Sequence, residues 1–189
     1  MDADESLPNK YLSFSGEITS QLSSSFRAAL SEAVNDGARE VTVLFSSAGG
    51  STDEAISLFT FLRALPVRIT MHACGVVGSV AVPVFLAAAS RFASSNACFF
   101  LHQYAWTFAN GQETPYLKIR ENILLLQFAQ EWSLRIIKET TGLTDEVIQL
   151  RGLFLQPQII TAAEAAQLKL ITDISEPLIA AGSKLRVVV

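Results

Sequence analysis

Residues 40–46 constrain the fold of this chain more than any other segment. Their sequence, Glu-Val-Thr-Val-Leu-Phe-Ser, is β-branched and apolar almost throughout. Such a run is typical of a strand that is covered on both faces, as in a parallel sheet that lies between helices. Because the chain has 189 residues and is 50% hydrophobic, it can bury a core of this kind.

Helices and further strands alternate along the chain around this segment. Residues 18–33 repeat apolar side chains at steps of three to four, and Gly37 ends the predicted helix. A second helix begins at Ser51, where the spacing is that of a capping box, and ends at Pro66. Residues 67–72 alternate as a strand does. This order predicts an α/β fold of repeated ββα or βαβ units, with helices on the faces of a mainly parallel sheet.

Residues 73–89 carry no charged side chain and approach the length of a membrane span. Gly75, Gly78 and Pro83 interrupt the run, and Arg91 follows it closely. These small residues favour a buried helix that packs closely against its neighbours. We therefore expect no membrane partner.

A long helix is predicted over residues 114–142, with Thr114 as its cap and Pro115 at its first position. Its apolar side chains cover more than one face, so we expect part of it to contact another subunit. The remaining predictions are a strand that ends at Leu101, a short helix from Thr144, an irregular segment at residues 153–160, a capped helix from Thr161 and a last strand at residues 170–174.

The charge and cysteine content exclude several classes of protein. The net charge is -4 and no segment gathers Lys and Arg, so a nucleic-acid partner is not expected. Cys74 and Cys98 lie in apolar runs, which predicts buried free thiols in a reducing, cytoplasmic compartment. Residues 1–10 form an acidic tail without the features of a secretory signal. We expect a single domain over residues 11–189 and neither a cofactor nor a metal.

Ser79 and His102 are the candidates for nucleophilic catalysis. Ser79 follows small residues that permit a sharp turn, which would present a hydroxyl at a helix N-terminus. His102 stands at a predicted strand end, where an imidazole can act as a general base. The residues alone leave two plainer alternatives open, an ordinary helix cap for Ser79 and a hydrogen-bonded edge residue for His102. His72, within a strand, is expected to be structural.

Four motifs in a fixed order carry a resemblance to a known family. They are the turn Ser47-Ala48-Gly49-Gly50, the segment Gly75-Val76-Val77-Gly78-Ser79, the strand end His102-Gln103-Tyr104, and the segment Thr161-Ala162-Ala163-Glu164-Ala165 with the later Leu170-Ile171. Taken alone, the glycines of the first motif fit either a simple turn or backbone donors for an oxyanion. Over residues 11–174 the chain resembles the proteolytic subunit of the ATP-dependent Clp protease, a family of serine peptidases.

The resemblance implies a ClpP/crotonase-like α/β fold of repeated ββα units with a protruding long helix. It implies a serine endopeptidase subunit of a homo-oligomeric, heptameric ring that cleaves peptides or unfolded proteins. Ser79 would be the nucleophile and His102 the general base. The backbone N–H groups of Gly50 and Val80 would form the oxyanion hole.

The chain departs from the family pattern in three respects. Pro157 stands where the family places its triad acid, so no carboxylate is present there. Few residues precede Tyr11, so we expect an ATPase unfoldase to engage this protein poorly or not at all. Ala48 and Tyr104 replace prolines of the family motifs.

Two functions therefore stay open. The first is a peptidase in which Ser79 and His102 act as a dyad, or in which the amide of Gln156 or Gln158 orients the imidazole. The second is a catalytically weak or inactive structural subunit of a Clp-like ring. A third, acyl-CoA chemistry on the same fold, is less favoured because no carboxylate near Ser79 could serve as its base.

Overall fold

The computed structural model describes residues 10–108 and 113–189. Its strands are β1 (Lys10–Ser15), β2 (Glu40–Ser47), β3 (Arg68–Gly78), β4 (Ser90–Ala93), β5 (Cys98–Leu101), β6 (Gln158–Thr161), β7 (Asp173–Ile174) and β8 (Leu185–Val188). Its helices are α1 (Ser20–Asn35), α2 (Thr52–Ala64), α3 (Ala81–Phe85), α4 (Tyr116–Thr141), α5 (Asp145–Arg151) and α6 (Ala162–Gln167). The predicted acidic tail up to residue 9 and the loop residues Gly111 and Gln112 lie outside the described residues.

One mixed sheet forms the centre of the molecule. Its strands follow the order β6-β5-β3-β2-β1-β8, and β4 pairs with β3 and with β7. The pairs are parallel except for the antiparallel pair of β5 and β6. No residue of β2 is exposed, which confirms the sequence-based prediction of a strand covered on both faces. The α/β architecture is confirmed.

A row of phenylalanine rings crosses the core and joins the strands to helix α3. Phe45 of β2 stacks on Phe14 of β1, with ring centroids 5.1 Å apart, and lies 6.2 Å from Phe85 of α3. Phe85 in turn meets Phe99 of β5 edge to face at 5.3 Å. All four side chains are fully buried. Aromatic pairs of this geometry contribute beyond their buried area, so the row fixes β5 and α3 relative to the centre of the sheet.

The predicted helix over residues 73–89 is wrong for most of its length. Strand β3 continues to Gly78, and only Ala81–Phe85 is helical. The first half of β3 pairs with β4 and its end pairs with β5. The run lacks charge because it belongs to a long central strand that has neighbours on both sides, and periodicity cannot separate such a strand from a buried helix.

Several smaller predictions also need correction. Strand β6 occupies the second part of the segment predicted to be irregular, and β8 was not predicted. Pro115 lies at the N-cap of α4 with no side-chain hydrogen bond to the helix, so Thr114 does not cap it. Cys74 is exposed and Cys98 half-buried, so neither is a buried thiol. The capping box at Thr161, by contrast, is confirmed.

Helix α4 divides into an exposed first half and a second half that packs on the core. Trp132 meets Phe59 of α2 edge to face at a centroid distance of 5.6 Å, and Ile137 is fully buried. The exposed apolar side chains of the first half, here called the α4 apolar face, are Tyr116, Leu117, Ile119, Ile123, Leu124, Leu125 and Phe128. Among the described helices, none combines the length and the apolar character needed to cross a membrane.

Candidate active site

Ser79 occupies the turn between strand β3 and helix α3. Its φ of 54° lies in the left-handed region, which a residue with a side chain adopts only when its surroundings hold it there. Two hydrogen bonds hold it: the Ser79 N–H donates to the Phe100 carbonyl at 2.8 Å, and the Val82 N–H donates to the Ser79 carbonyl at 3.1 Å. The turn therefore presents the Ser79 hydroxyl at the carboxyl edge of the sheet, as in a strand-to-helix nucleophile turn.

The glycine turn at residues 47–50 lies directly against Ser79. A Cβ on Gly49 would stand 2.7 Å from the Ser79 Cβ and 3.2 Å from the Gly78 carbonyl oxygen. The Ser47 hydroxyl accepts a hydrogen bond from the Gly49 N–H at 3.2 Å, which closes the turn. Gly50 is crowded in the same way, because a Cβ there would lie 2.4 Å from the Ile18 carbonyl oxygen. Only glycine fits at these two positions.

Two backbone donors near Ser79 are available to a substrate. In the part of the chain that the structure describes, the N–H groups of Gly50 and Val80 donate to no protein acceptor. Val80 directly follows Ser79 in sequence. Gly50 directly follows Gly49, which lies against Ser79. Unused N–H groups beside a nucleophile can stabilise the oxyanion of a tetrahedral intermediate.

His102 directly follows strand β5 and is half-buried. Its Nδ1 lies 2.7 Å from the carbonyl oxygen of Gln103. Because a carbonyl oxygen can only accept, Nδ1 carries the proton in this hydrogen bond and Nε2 keeps a free lone pair. The tautomer is therefore the one that a general base requires.

The topology brings Ser79 and His102 to the same edge. Gly78 pairs with Phe100 in the parallel ladder between β3 and β5, so both strands end beside each other. Among residues 10–108 and 113–189, the Ser79 hydroxyl has no hydrogen-bond partner, His102 included. Catalytic hydrogen bonds of this kind often tighten only when substrate is bound.

Residue 157, where the resemblance implies a triad acid, lies opposite His102. In the antiparallel ladder of β5 and β6, Leu101 pairs with Gln158. Continuing this register by one residue places His102 opposite Pro157. Proline offers no acceptor side chain there. A Cβ on Gly152 would lie 3.0 Å from Nε2 of Gln156 and 3.2 Å from Nε2 of Gln158, which places both amides beside Gly152.

In this structure the hydrogen-bond partner of His102 Nδ1 is a backbone carbonyl and not one of the two glutamine amides. The Gln158 amide donates to the Arg151 carbonyl, while the hydrogen-bond partner of His102 Nδ1 is the Gln103 carbonyl. Sequence reasoning missed Gln103 because the group that acts is a backbone oxygen, which every residue type carries.

His72, the other histidine, lies in the middle of β3 and is buried. Its Nε2 donates to the Ser175 carbonyl at 2.8 Å. Burial lowers the pKa of this imidazole, so the neutral form is favoured. These contacts agree with the structural role predicted for His72.

Two cavities are lined by segments of this site. One, of about 480 Å³, is lined by the glycine turn together with Ser15, Gly16, Glu17 and Val76. The other, of about 330 Å³, lies between the Gln103-Tyr104 segment and helix α4. Within the described ranges, no group of three or more potential metal ligands is close enough to hold a metal ion.

Residues 4–177 match the family described as Clp protease. The chain belongs to the Clp protease family. No curated protein matches the chain. Because the match covers nearly all of the chain, it confirms the resemblance inferred from the four motifs, and with it the ClpP/crotonase-like fold. Membership in the Clp protease family makes the chain a ClpP-like member of a family of serine peptidases.

A side chain at position 49 would displace Ser79, because a Cβ there would lie 2.7 Å from the Ser79 Cβ. We expect Gly49→Ala to lower the rate at which a fluorophosphonate labels Ser79 by about 100-fold, since displacing a reacting group by about 1 Å has an effect of this size. Gly182→Ala is the matched control, because Gly182 also has a positive φ but would meet nothing within 4 Å. Labelling is followed by mass spectrometry. Equal labelling of the two variants would show that the turn does not position the nucleophile.

Proposed function

We propose that the protein is a serine endopeptidase subunit of a ring-shaped Clp-like protease, with Ser79 as the nucleophile and His102 as the general base. One observation carries the proposal. The strained turn at Ser79 and the imidazole of His102 stand at the ends of adjacent parallel strands, and Nδ1 is occupied so that Nε2 is the free base. Neither feature is needed for the stability of a core strand.

The reaction follows from these positions. Substrate binding brings the Ser79 hydroxyl to Nε2 of His102, and Oγ attacks the scissile carbonyl while Nε2 takes its proton. The N–H groups of Gly50 and Val80 stabilise the negative oxygen of the tetrahedral intermediate. The imidazolium then protonates the leaving amine as the C–N bond breaks. A water molecule, deprotonated by the same Nε2, hydrolyses the acyl-enzyme and restores the serine.

The absence of a carboxylate opposite His102 lowers the expected rate. A carbonyl can hold the imidazole in its productive tautomer, but it lacks the negative charge that stabilises the imidazolium. In a well-studied serine protease, exchanging the acid for an amide lowers turnover by about 10⁴-fold through loss of the correct tautomer. We therefore expect turnover below that of a complete triad, with part of the loss offset by the Gln103 carbonyl.

Assembly is the second part of the proposal. The α4 apolar face gathers seven exposed apolar side chains on the first half of one helix, and exposed apolar surface of this kind marks contacts between proteins. We propose that α4 contacts other subunits and that the assembly is a homo-oligomeric ring, heptameric or doubled. Peptides and unfolded proteins in the cytoplasm are the proposed substrates, and an ATPase unfoldase is not required for peptide cleavage.

The alternative is a catalytically weak or inactive structural subunit of a Clp-like ring. The observation that favours it is Pro157 at the position opposite His102. The two functions differ in the reactivity of Ser79. A structural subunit would form the ring, but its Ser79 would not react with a covalent label.

Covalent labelling separates the two functions. We expect a fluorophosphonate to label the protein at Ser79, Ser79→Ala to abolish labelling, and His102→Ala to reduce the labelling rate by orders of magnitude, since members of a catalytic unit act together. His72→Gln is the control, because His72 lies within β3. Protein that forms rings but is neither labelled nor able to cleave peptides would overturn the peptidase proposal in favour of the structural subunit.

The position of Pro157 gives a gain-of-function prediction. An aspartate there would face His102 in the register of β5 and β6 and could accept the Nδ1 proton as a charged group. We expect Pro157→Asp to raise the peptide cleavage rate at least tenfold but by less than the factor of about 10⁴ that follows loss of the productive tautomer, because the Gln103 carbonyl already holds that tautomer. Gln156→Asp adds the same charge one residue earlier and should give no increase. An unchanged rate in a folded Pro157→Asp variant would contradict this register.

The α4 apolar face predicts an assembly mutant. We expect Phe128→Glu, at the C-terminal end of the exposed face, to shift the sedimentation coefficient from that of a ring towards that of smaller species, because the charge would be buried without a partner. Leu178→Glu is the control, since Leu178 is 86% exposed and lies far from α4 in sequence. A monomeric mass for the unmodified protein at micromolar concentration would refute the assembly proposal.

A further inference from the structure

The Gln103 carbonyl can hold His102 only if the backbone after β5 is itself held. Residues 102–108 have no regular secondary structure, so the ladder that ends with Leu101 and Gln158 does not fix the Gln103 peptide group. The Gln103 side chain is exposed. A contact made by a residue that follows Gln103 is therefore needed to keep the Gln103 carbonyl at hydrogen-bond distance from Nδ1 of His102.

Tyr104 supplies that contact. Its hydroxyl lies 2.5 Å from the hydroxyl of Ser133, which is fully buried in helix α4. Ser133 donates its single proton to the Ala129 carbonyl at 2.9 Å. The Tyr104 hydroxyl is therefore the donor to Ser133. A continuous chain of hydrogen bonds links the segment after β5 to the backbone of α4.

The aromatic ring of Tyr104 also makes a packing contact, in addition to the hydrogen bond of its hydroxyl. It meets the fully buried ring of Phe154 edge to face, with centroids 5.6 Å apart. Burial raises the pKa of the Tyr104 hydroxyl, so this group stays protonated and remains a donor across the physiological range. Tyr104 thus joins the His102 segment to α4 and to the segment before β6.

We propose that Tyr104 is a positioning residue, whose hydrogen bond to Ser133 keeps the Gln103 carbonyl on His102 Nδ1 and so replaces the tautomer-fixing role of a triad acid. The inference rests on the proposed function for its effect on rate, although the tautomer itself can be measured without activity. A backbone carbonyl is a common partner that fixes which histidine nitrogen carries the proton. Without it, both tautomers of His102 become available, and the Nε2–H form cannot act as the base.

The tautomer is measured directly by ¹⁵N magic-angle-spinning NMR of protein with labelled histidine. The chain has two histidines, so His72→Gln leaves His102 as the single signal. We expect the Nδ1–H tautomer alone in this background. Adding Tyr104→Phe, which keeps the ring and removes the hydroxyl, should give a mixture of tautomers. Ser133→Ala removes the acceptor instead and should have the same effect.

Kinetics provides the second measurement. We expect Tyr104→Phe to lower kcat for peptide cleavage and the labelling rate at Ser79 by at least tenfold, within the limit of about 10⁴ set by loss of the productive tautomer. KM and ring assembly should not change. Tyr11→Phe is the matched control, because Tyr11 is also largely buried but lies in β1, away from His102 and from α4.

The outcomes separate this inference from the proposed function. An Nε2–H tautomer in the His72→Gln protein would overturn the inference, whether or not the protein is active. An unchanged tautomer in both Tyr104→Phe and Ser133→Ala would also overturn it. In a protein that is labelled at Ser79, an unchanged labelling rate in both variants would overturn it as well. A tautomer that shifts in both variants of a protein that is never labelled at Ser79 would support the positioning role of Tyr104 and overturn only the peptidase proposal.

Discussion

The hydrogen bond from the Ser79 N–H to the Phe100 carbonyl, 2.8 Å long, is the contact on which the site depends. It forms because β3 changes partner along its length and pairs with β5 only near its end. The change of partner brings the ends of β3 and β5 together at one edge. Ser79 and His102 directly follow these two strand ends. In the residues that the structure describes, the N–H groups of Gly50 and Val80, near Ser79, form no hydrogen bond within the sheet.

This arrangement stores strain that the rest of the fold must offset. A residue with a side chain in the left-handed region costs about 1–3 kcal/mol, and the turn at Gly49 and Gly50 leaves no room for Cβ atoms. The row of buried phenylalanines fixes β5 and α3 on either side of Ser79. Burying one such ring stabilises the fold by about 1.5–3 kcal/mol, so the core can hold the strained turn without help from a bound substrate.

The proposed positioning of His102 relies on neutral groups in place of a charged one. Pro157 offers His102 no carboxylate at the paired position of β6, and among the described residues the imidazole bonds to the Gln103 carbonyl instead. The hydrogen bonds from Tyr104 to Ser133 and on to Ala129 connect that acceptor to helix α4. Since the first half of α4 carries the exposed apolar face, the same helix serves both the proposed assembly and the proposed positioning of the base. Contacts between subunits could therefore stabilise the site.

The sequence by itself determined the α/β class, the family and the residues at the strand ends, because periodicity, turn residues and short motifs are local signals. It also predicted that Pro157 stands at the position implied for a triad acid, by counting back along the motif, but only the register of β5 and β6 sets Pro157 against His102. It could not determine that residues 73–78 continue a strand, because a buried strand and a buried helix are equally apolar. Only the tertiary structure decided what touches Nδ1. The Gln103 carbonyl, the Tyr104 hydroxyl and Ser133 meet through contacts between separate segments, and no local pattern encodes the direction of a backbone oxygen.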